Sequence, residues 1–236
     1  MPKHRAPDAQ LETLEDLSEA VNYNHWIYKM LSPYLGQRIL EIGCGTGNIT
    51  ASLASHGKVL AVDTHPGYLA EARRRFPNAK NVTFHRVNLE KQIPSLRSFH
   101  PDTIVCVNVL EHLSGDDKVL SQCLGLLPKG GRFLVFVPAL QALFGSMDVS
   151  YGHYRRYSLG QLADKMRRAG FEVEYCRYLN LLGVFGWWLN GKVLKRKVIP
   201  RSQILIYDRV VWLAEKMERF LPKPIGVSLL GVGRKP

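Results

Sequence analysis

The chain has 236 residues, 46% of them hydrophobic, which suffices for one substantial domain with a packed core. Its formal net charge of +12 favours an anionic partner: nucleic acid, a phosphorylated substrate or an acidic membrane surface. Its four cysteines, Cys44, Cys106, Cys123 and Cys176, form no CxxC and flank no histidine pair, which argues against a disulfide framework or zinc site and for a cytoplasmic protein.

The N-terminal "MPKHRAPDAQLETLED" has no apolar core for a signal peptide, and its first ten residues read as loose. One helical pattern runs from about Leu11 to Leu31 and stops at Pro33 and Gly36. Strands and helices then alternate. Strands are expected at 37–43, 58–63, 81–88, 102–110, 130–139, 171–179 and 226–235. Helices are expected at 48–57, 66–76 and 116–127, and from a Ser158–Gln161 capping box to Gly170. This rhythm specifies an α/β fold, a doubly wound Rossmann-like seven-stranded sheet. Residues 180–222 read as two helices inserted between the last two strands. The boundaries are an N-terminal helical lid (1–36), a nucleotide-type core (37–179), a helical cap (180–225) and a final strand (226–236).

Glycines alternate in "LEIGCGTGN" (40–48), at the first strand-to-helix turn. Three residues without Cβ suggest that a ligand approaches the main chain there, in the crevice where doubly wound sheets bind nucleotides. Asp63 closes the second strand, where a carboxylate can take both hydroxyls of a ribose. The dinucleotide fingerprint G-x-G-x-x-G does not fit, because the third glycine comes one residue early and Asn48 follows. Glu41, two residues before Gly43, would oppose a pyrophosphate and welcome an ammonium.

At this point "ILEIGCGTGNIT" resembles motif I of the class I S-adenosylmethionine-dependent methyltransferases. "VLAVDTHPGYL", "VTFHRVNLE", "DTIVCVNVLEHL" and "LLPKGGRFLVFVPA" are similar to the motifs of the next four strands, so the resemblance covers about residues 37–139. It implies S-adenosyl-L-methionine as cofactor. Gly43, Cys44 and Gly45 would line its methionine moiety, and Glu41 would meet the ammonium. Asp63 would hold the ribose, with Thr64 or His65 beside the adenine. Asn88, with Leu89, would meet the adenine amine, although many members carry Asp there. Asn108 and Val109 would lie near the sulfonium by main chain. "AVNYNHWIYKML" resembles the family's leading helix, so Tyr23 and Trp26 would cap the cofactor or serve as core aromatics.

The acceptor is less legible. The fourth strand ends in "NVLEH" rather than the [DNS]-P-P-[YFW] of base amino methyltransferases, and "VLEHL" recurs in small-molecule O- and C-methyltransferases of the superfamily. His112 would be a base or an orienting donor. Glu111 and His112 supply two potential metal ligands and no obvious third, so no metal is expected. The loop "MDVSYGHYRRYS" (147–158) gathers His153, Arg155 and Arg156; a paired arginine suits a phosphate or carboxylate. Similar "GHYRRYS" segments occur in methyltransferases associated with lipid-linked sugar assembly.

The segment "YLNLLGVFGWWLNGKVLKRKVIPR" is too short an apolar run to span a bilayer. Trp187 and Trp188 followed by lysines and arginines match either an interfacial membrane contact or a cap over the acceptor pocket. Ile206, Val210, Leu213, Met217 and Phe220 then recur at helical spacing as a packing face or, alternatively, a dimer contact. The expectation is a methyltransferase acting on a small or lipid-linked anionic acceptor. O-methylation is favoured, C-methylation close behind, in the cytoplasm or peripheral on the membrane's inner face, as monomer or homodimer. An RNA methyltransferase and a non-catalytic cofactor-binding subunit are the alternatives.

Overall fold

A computed structural model describes residues 7–220 and 225–236. Seven strands form one sheet: β1 (Arg38–Ile42), β2 (Lys58–Asp63), β3 (Val82–Arg86), β4 (Thr103–Val107), β5 (Arg132–Pro138), β6 (Glu172–Leu179) and β7 (Ser228–Arg234). Their order is β3-β2-β1-β4-β5-β7-β6, with β7 antiparallel to both neighbours and the rest parallel. The helices are α1 (Pro7–Glu19), α2 (Val21–Leu31), α3 (Thr50–His56), α4 (Pro66–Arg75), α5 (Asp116–Leu126), α6 (Ser146–Tyr151), α7 (Leu159–Arg168), α8 (Leu181–Trp188) and α9 (Arg201–Phe220).

The central strands are apolar on both sides because helices cover both faces. On one face, Leu120 and Cys123 of α5 and Leu162 and Met166 of α7 pack on Ile104 and Val135. On the other, Ile27 and Leu31 of α2, Leu53 of α3, Leu69 of α4 and Val211 of α9 pack on Val105 and Leu134. Strand order reverses between β1 and β4, so a crevice opens at their C-terminal ends.

Three elements differ from the sequence reading. The single N-terminal helix is two, broken at Ala20. Asp208 of α9 accepts the Tyr23 N–H and an Asn22 side-chain N–H, both at 2.8 Å, and so satisfies the new N-terminus of α2. The expected loop at 147–158 begins with helix α6, held by Asp148 accepting the Gly145 N–H at 3.0 Å and ended at Gly152 (φ +75°). The expected packing face of α9 points outward: Ile206 is 61% exposed, Leu213 41% and Val210 39%. Ile204, Asp208, Val211 and Ala214 are buried instead, because Asp208 must reach α2. The side chains of Met217 and Phe220 lie outside the described residues, as do residues 1–6 of the segment expected to be loose; residues 7–10 of it are helical.

Candidate functional site

The glycine turn sits where β1 gives way to α3. Gly43, Gly45 and Gly47 all have left-handed backbone, with φ of +72°, +54° and +87°, which side chains rarely adopt. Two are also pressed by the chain itself. A Cβ on Gly43 would lie 2.3 Å from Val109, and one on Gly47 2.8 Å from Phe76. Gly45 is the freer position, meeting only Leu14 of α1 at 3.4 Å. Asn48 donates its side-chain N–H to the Leu14 carbonyl at 2.9 Å, so α1 lies across the turn.

Two acids flank these glycines. Glu41 is buried and accepts the Thr50 hydroxyl at 2.5 Å. Burial pushes its carboxyl up to about 8, against the Thr50 hydrogen bond and with help from Asp63. Asp63 accepts the Gly45 N–H at 2.9 Å and the His65 N–H at 2.8 Å. Burial raises its carboxyl too, opposed by those same N–H groups. Each carboxylate oxygen keeps a second lone pair for a ligand hydroxyl.

The remaining sequence candidates take varied positions. Asn108 ends β4 in left-handed backbone (φ +52°), and Val109 is buried against Gly43. Cys44 is buried, and its thiol donates to the Gly45 carbonyl. Thr64 is exposed; His65 caps α4 by accepting the Tyr68 N–H at 3.3 Å. Leu89 is buried, while the exposed Asn88 turns its Oδ1 back to the Glu90 N–H at 3.1 Å. Trp26 is a core side chain, 1% exposed, edge-on to Phe136 and stacked at 5.8 Å on half-buried Tyr23. It therefore does not lie open as a cap, although its indole N–H has no partner among the described residues.

A second polar cluster forms beyond β4 and β5. Glu111, His112 and His153 each offer a ligand atom within 4.8 Å of the others. Glu111 is 1% exposed, and neither of its carboxylate oxygens has a hydrogen-bond partner among the described residues. Burial pushes it up to about 8. Burial pushes His112 down to about 3, with His153 reinforcing and the Gly152 and Tyr151 backbone opposing. His153 is lowered by burial against the pull of Asp148. Its Nδ1–H donates to Asp148 Oδ1 at 2.8 Å, which leaves Nε2 as the free atom. Asp148 also accepts Arg156 Nε–H at 2.7 Å and Trp187 Nε1–H at 3.3 Å.

Residues 40–133 match the family model described as a methyltransferase domain. This segment is therefore similar to a methyltransferase domain. A Mycolicibacterium smegmatis protein named "Probable S-adenosylmethionine-dependent methyltransferase" is 32% identical over 155 residues, covering 64% of this chain and 56% of its own. A "Ubiquinone biosynthesis O-methyltransferase" of Xanthomonas euvesicatoria is 26% identical over 153 residues, covering 59% and 64%. The chain thus spans under two thirds of either relative's length. An S-adenosylmethionine-dependent methyltransferase structure from Mesorhizobium loti superposes with a TM-score of 0.58 at 17% identity, covering 86% of this chain and 92% of that one, which supports the shared fold.

The residues of this crevice fit S-adenosylmethionine. Glu41 is buried and faces no basic side chain among the described residues, and a ligand ammonium would supply the missing charge. Asp63 stands where a ribose can reach its spare lone pairs. A pyrophosphate would meet two acids at the same place.

The paired arginines do not form the expected anion clamp. Arg156 is 2% exposed and is committed to Asp148 and to the Ala139 carbonyl at 3.0 Å, its guanidinium over the Trp187 ring at 4.3 Å. Arg155 turns to Asp116 at 2.7 Å. An open cleft of about 400 Å³ is lined by both arginines with Lys165 and Arg168. Its cations are largely matched by Asp116 and Asp117. Asp148, the hub of this region, was missed because a lone acid carries no motif. The third potential metal ligand was missed because His153 lies forty-one residues from His112 in the chain.

Proposed function

We propose that the chain transfers a methyl group from S-adenosylmethionine to a hydroxyl oxygen of a small acceptor. The observation that carries this reading is the convergence of Glu111, His112 and His153 just beyond Val109, itself pressed against the glycine turn. The cofactor supplies an electrophilic methyl on a sulfonium. The S–CH3 bond breaks as the O–CH3 bond forms, and the hydroxyl proton must leave.

The chain's own work is alignment, exclusion of water and removal of that proton. Glu41 would pair the ammonium and Asp63 the ribose, with Leu89 and Asn88 at the adenine edge. Asn108 and Val109 would present backbone beside the reacting carbon. With no cation bound, the free nitrogen of His112 would accept the acceptor's proton, as a weak base, since burial lowers it to about 3. Tyr151 and Trp187, 6.4 Å apart, would wall the acceptor ring.

Alternatively Glu111, His112 and His153 would hold a divalent cation, in which case His112 is a ligand and not the base. His153 is oriented by Asp148 in the way metal-bound imidazoles are oriented by a carboxylate. Two imidazoles and a carboxylate suit zinc, manganese or iron. Such an ion would lower the pKa of the acceptor hydroxyl. Methylation of a quinone-like carbon is the second reading, favoured by the aromatic wall.

Calorimetric titration with S-adenosylhomocysteine, with NAD alongside, is the first test. Homocysteine-product binding without NAD heat is expected; NAD binding alone would overturn the cofactor reading. Equilibrium dialysis against Mn2+ and Zn2+ tests the cation site: retention by the native chain and loss in Glu111→Gln are expected. Retention unchanged in that variant would remove the cation from the proposal. Labelled-methyl transfer to a small diphenol, lost in His112→Gln with product affinity intact, would support O-methylation. Transfer undiminished in that variant would remove His112 as the base.

A further inference from the structure

We infer that the segment 185–197, from α8 into the stretch before α9, docks on an anionic lipid surface. Helix α8 reads Leu-Leu-Gly-Val-Phe-Gly-Trp-Trp, yet none of its residues is buried. A helix apolar all round belongs inside a core or in contact with lipid. Phe185 is 66% exposed and Trp188 45%, their rings 6.1 Å apart. Val193 and Leu194 follow at 50% and 47% exposed.

Charge settles the kind of partner. From Tyr175 to Tyr207 the chain has no aspartate or glutamate. Lys192, Lys195 and Lys197 are exposed there, and no ion pair holds them among the described residues. Arg132, Arg155, Lys165 and Arg201 face carboxylates, whereas the lysines of this stretch stand among exposed Phe185, Trp188, Val193 and Leu194. Phe185, Trp188 and Lys192 succeed one another at helical spacing, so apolar rings and a cation share one side. Aromatic rings at the acyl boundary with lysines at the headgroups is the interfacial arrangement. No described helix is long and apolar enough to cross a membrane, so the segment would lie on the surface.

A second copy of the chain would set these lysines against an equally basic molecule. Single-stranded RNA would stack on Phe185 and Trp188 but leave the exposed Val193 and Leu194 uncovered, which an acyl boundary would bury. The surface is firmly mounted. Arg196 donates to Asn190 Oδ1 at 2.9 Å, and its carbonyl accepts the Ser146 hydroxyl at 2.5 Å. The inner side of α8 presents Trp187 to Asp148, so docking would bring the acceptor cluster to the lipid boundary. That last clause rests on the proposed function; the docking itself does not.

Vesicle flotation tests it without reading turnover. The native chain should float with phosphatidylcholine vesicles containing phosphatidylglycerol, stay behind with phosphatidylcholine alone, and be released by high salt. Phe185→Ser/Trp188→Ser and Lys192→Glu/Lys195→Glu/Lys197→Glu should each cut partition by at least roughly tenfold, with melting temperature and S-adenosylhomocysteine affinity unchanged. Failure of the native chain to float at low salt would overturn the inference. So would flotation undiminished in both variants. Loss of a dimer in the first variant, or of poly(U) binding in the second, with no flotation of the native chain, would reassign the surface to a second copy or to RNA. Failure to bind S-adenosylhomocysteine would sink the methyltransferase reading and leave this result standing.

Discussion

Asp63 does two things with one carboxylate. It fixes the turn by accepting the Gly45 and His65 N–H groups, and it keeps spare lone pairs for a ligand. Removing it therefore tests the turn and the ligand contact together, without the left-handed backbone strain that replacing a glycine would add. Asp63→Ala should weaken S-adenosylhomocysteine binding by about 1–3 kcal/mol, the range for a lost charged hydrogen bond. Calorimetry on variant protein with an intact melting transition checks this; unchanged affinity would take Asp63 out of ribose recognition. The glycines themselves teach a related lesson. Val109 and Phe76 press on Gly43 and Gly47, so part of the demand for small residues comes from the chain's own packing. Only at Gly45 is there room for the demand to come from a ligand.

Strand ends carry the strain of this fold. Asn108, Leu140 and Asn180, just beyond β4, β5 and β6, all have left-handed backbone, with φ of +52°, +63° and +64°. Asparagine tolerates that region and a β-branched residue does not. Asn108→Gly should retain stability within a fraction of a kcal/mol, whereas Asn108→Val should lose about 1–2 kcal/mol in urea denaturation. Equal stability of the two variants would show that the turn relaxes freely. The sheet and its helices were legible because their signals are local: apolar runs, glycine stops and the Ser158–Gln161 capping box, which the structure keeps. The glycine turn and Asp63 were legible because the motif is contiguous. What was not legible is long-range. Asp208 capping α2, the buried face of α9 and the capture of Arg156 by Asp148 all depend on elements distant in sequence. Arg155 and Arg156 looked like a free pair because sequence shows charge and hides the acid that takes it.

Across the whole molecule, buried ionisable groups set how stability responds to pH. Glu41 and Glu111 rise to about 8 from an ordinary 4.5, both chiefly through burial. The folded chain therefore holds their protons more tightly than the unfolded chain. Their stabilising share is full below about pH 4.5 and is lost as pH rises through about 8. His112 works in the opposite sense, falling from 6.5 to about 3, so its share is full above pH 6.5 and is lost toward pH 3. Below pH 6.5 the two slopes oppose. Between pH 6.5 and 8 the carboxyls act without that opposition. There stability should fall with rising pH by up to about 1.4 kcal/mol per unit for each carboxyl. Urea midpoints across that window, with a chelator present, should decline, and Glu111→Gln should remove about half of the decline. A flat profile would mean that Arg156 already keeps Glu111 ionised. Added Mn2+ or Zn2+ supplies the decisive comparison. A cation held by Glu111, His112 and His153 would favour the charged carboxylate and should flatten the native profile, while leaving that of Glu111→Gln unaltered.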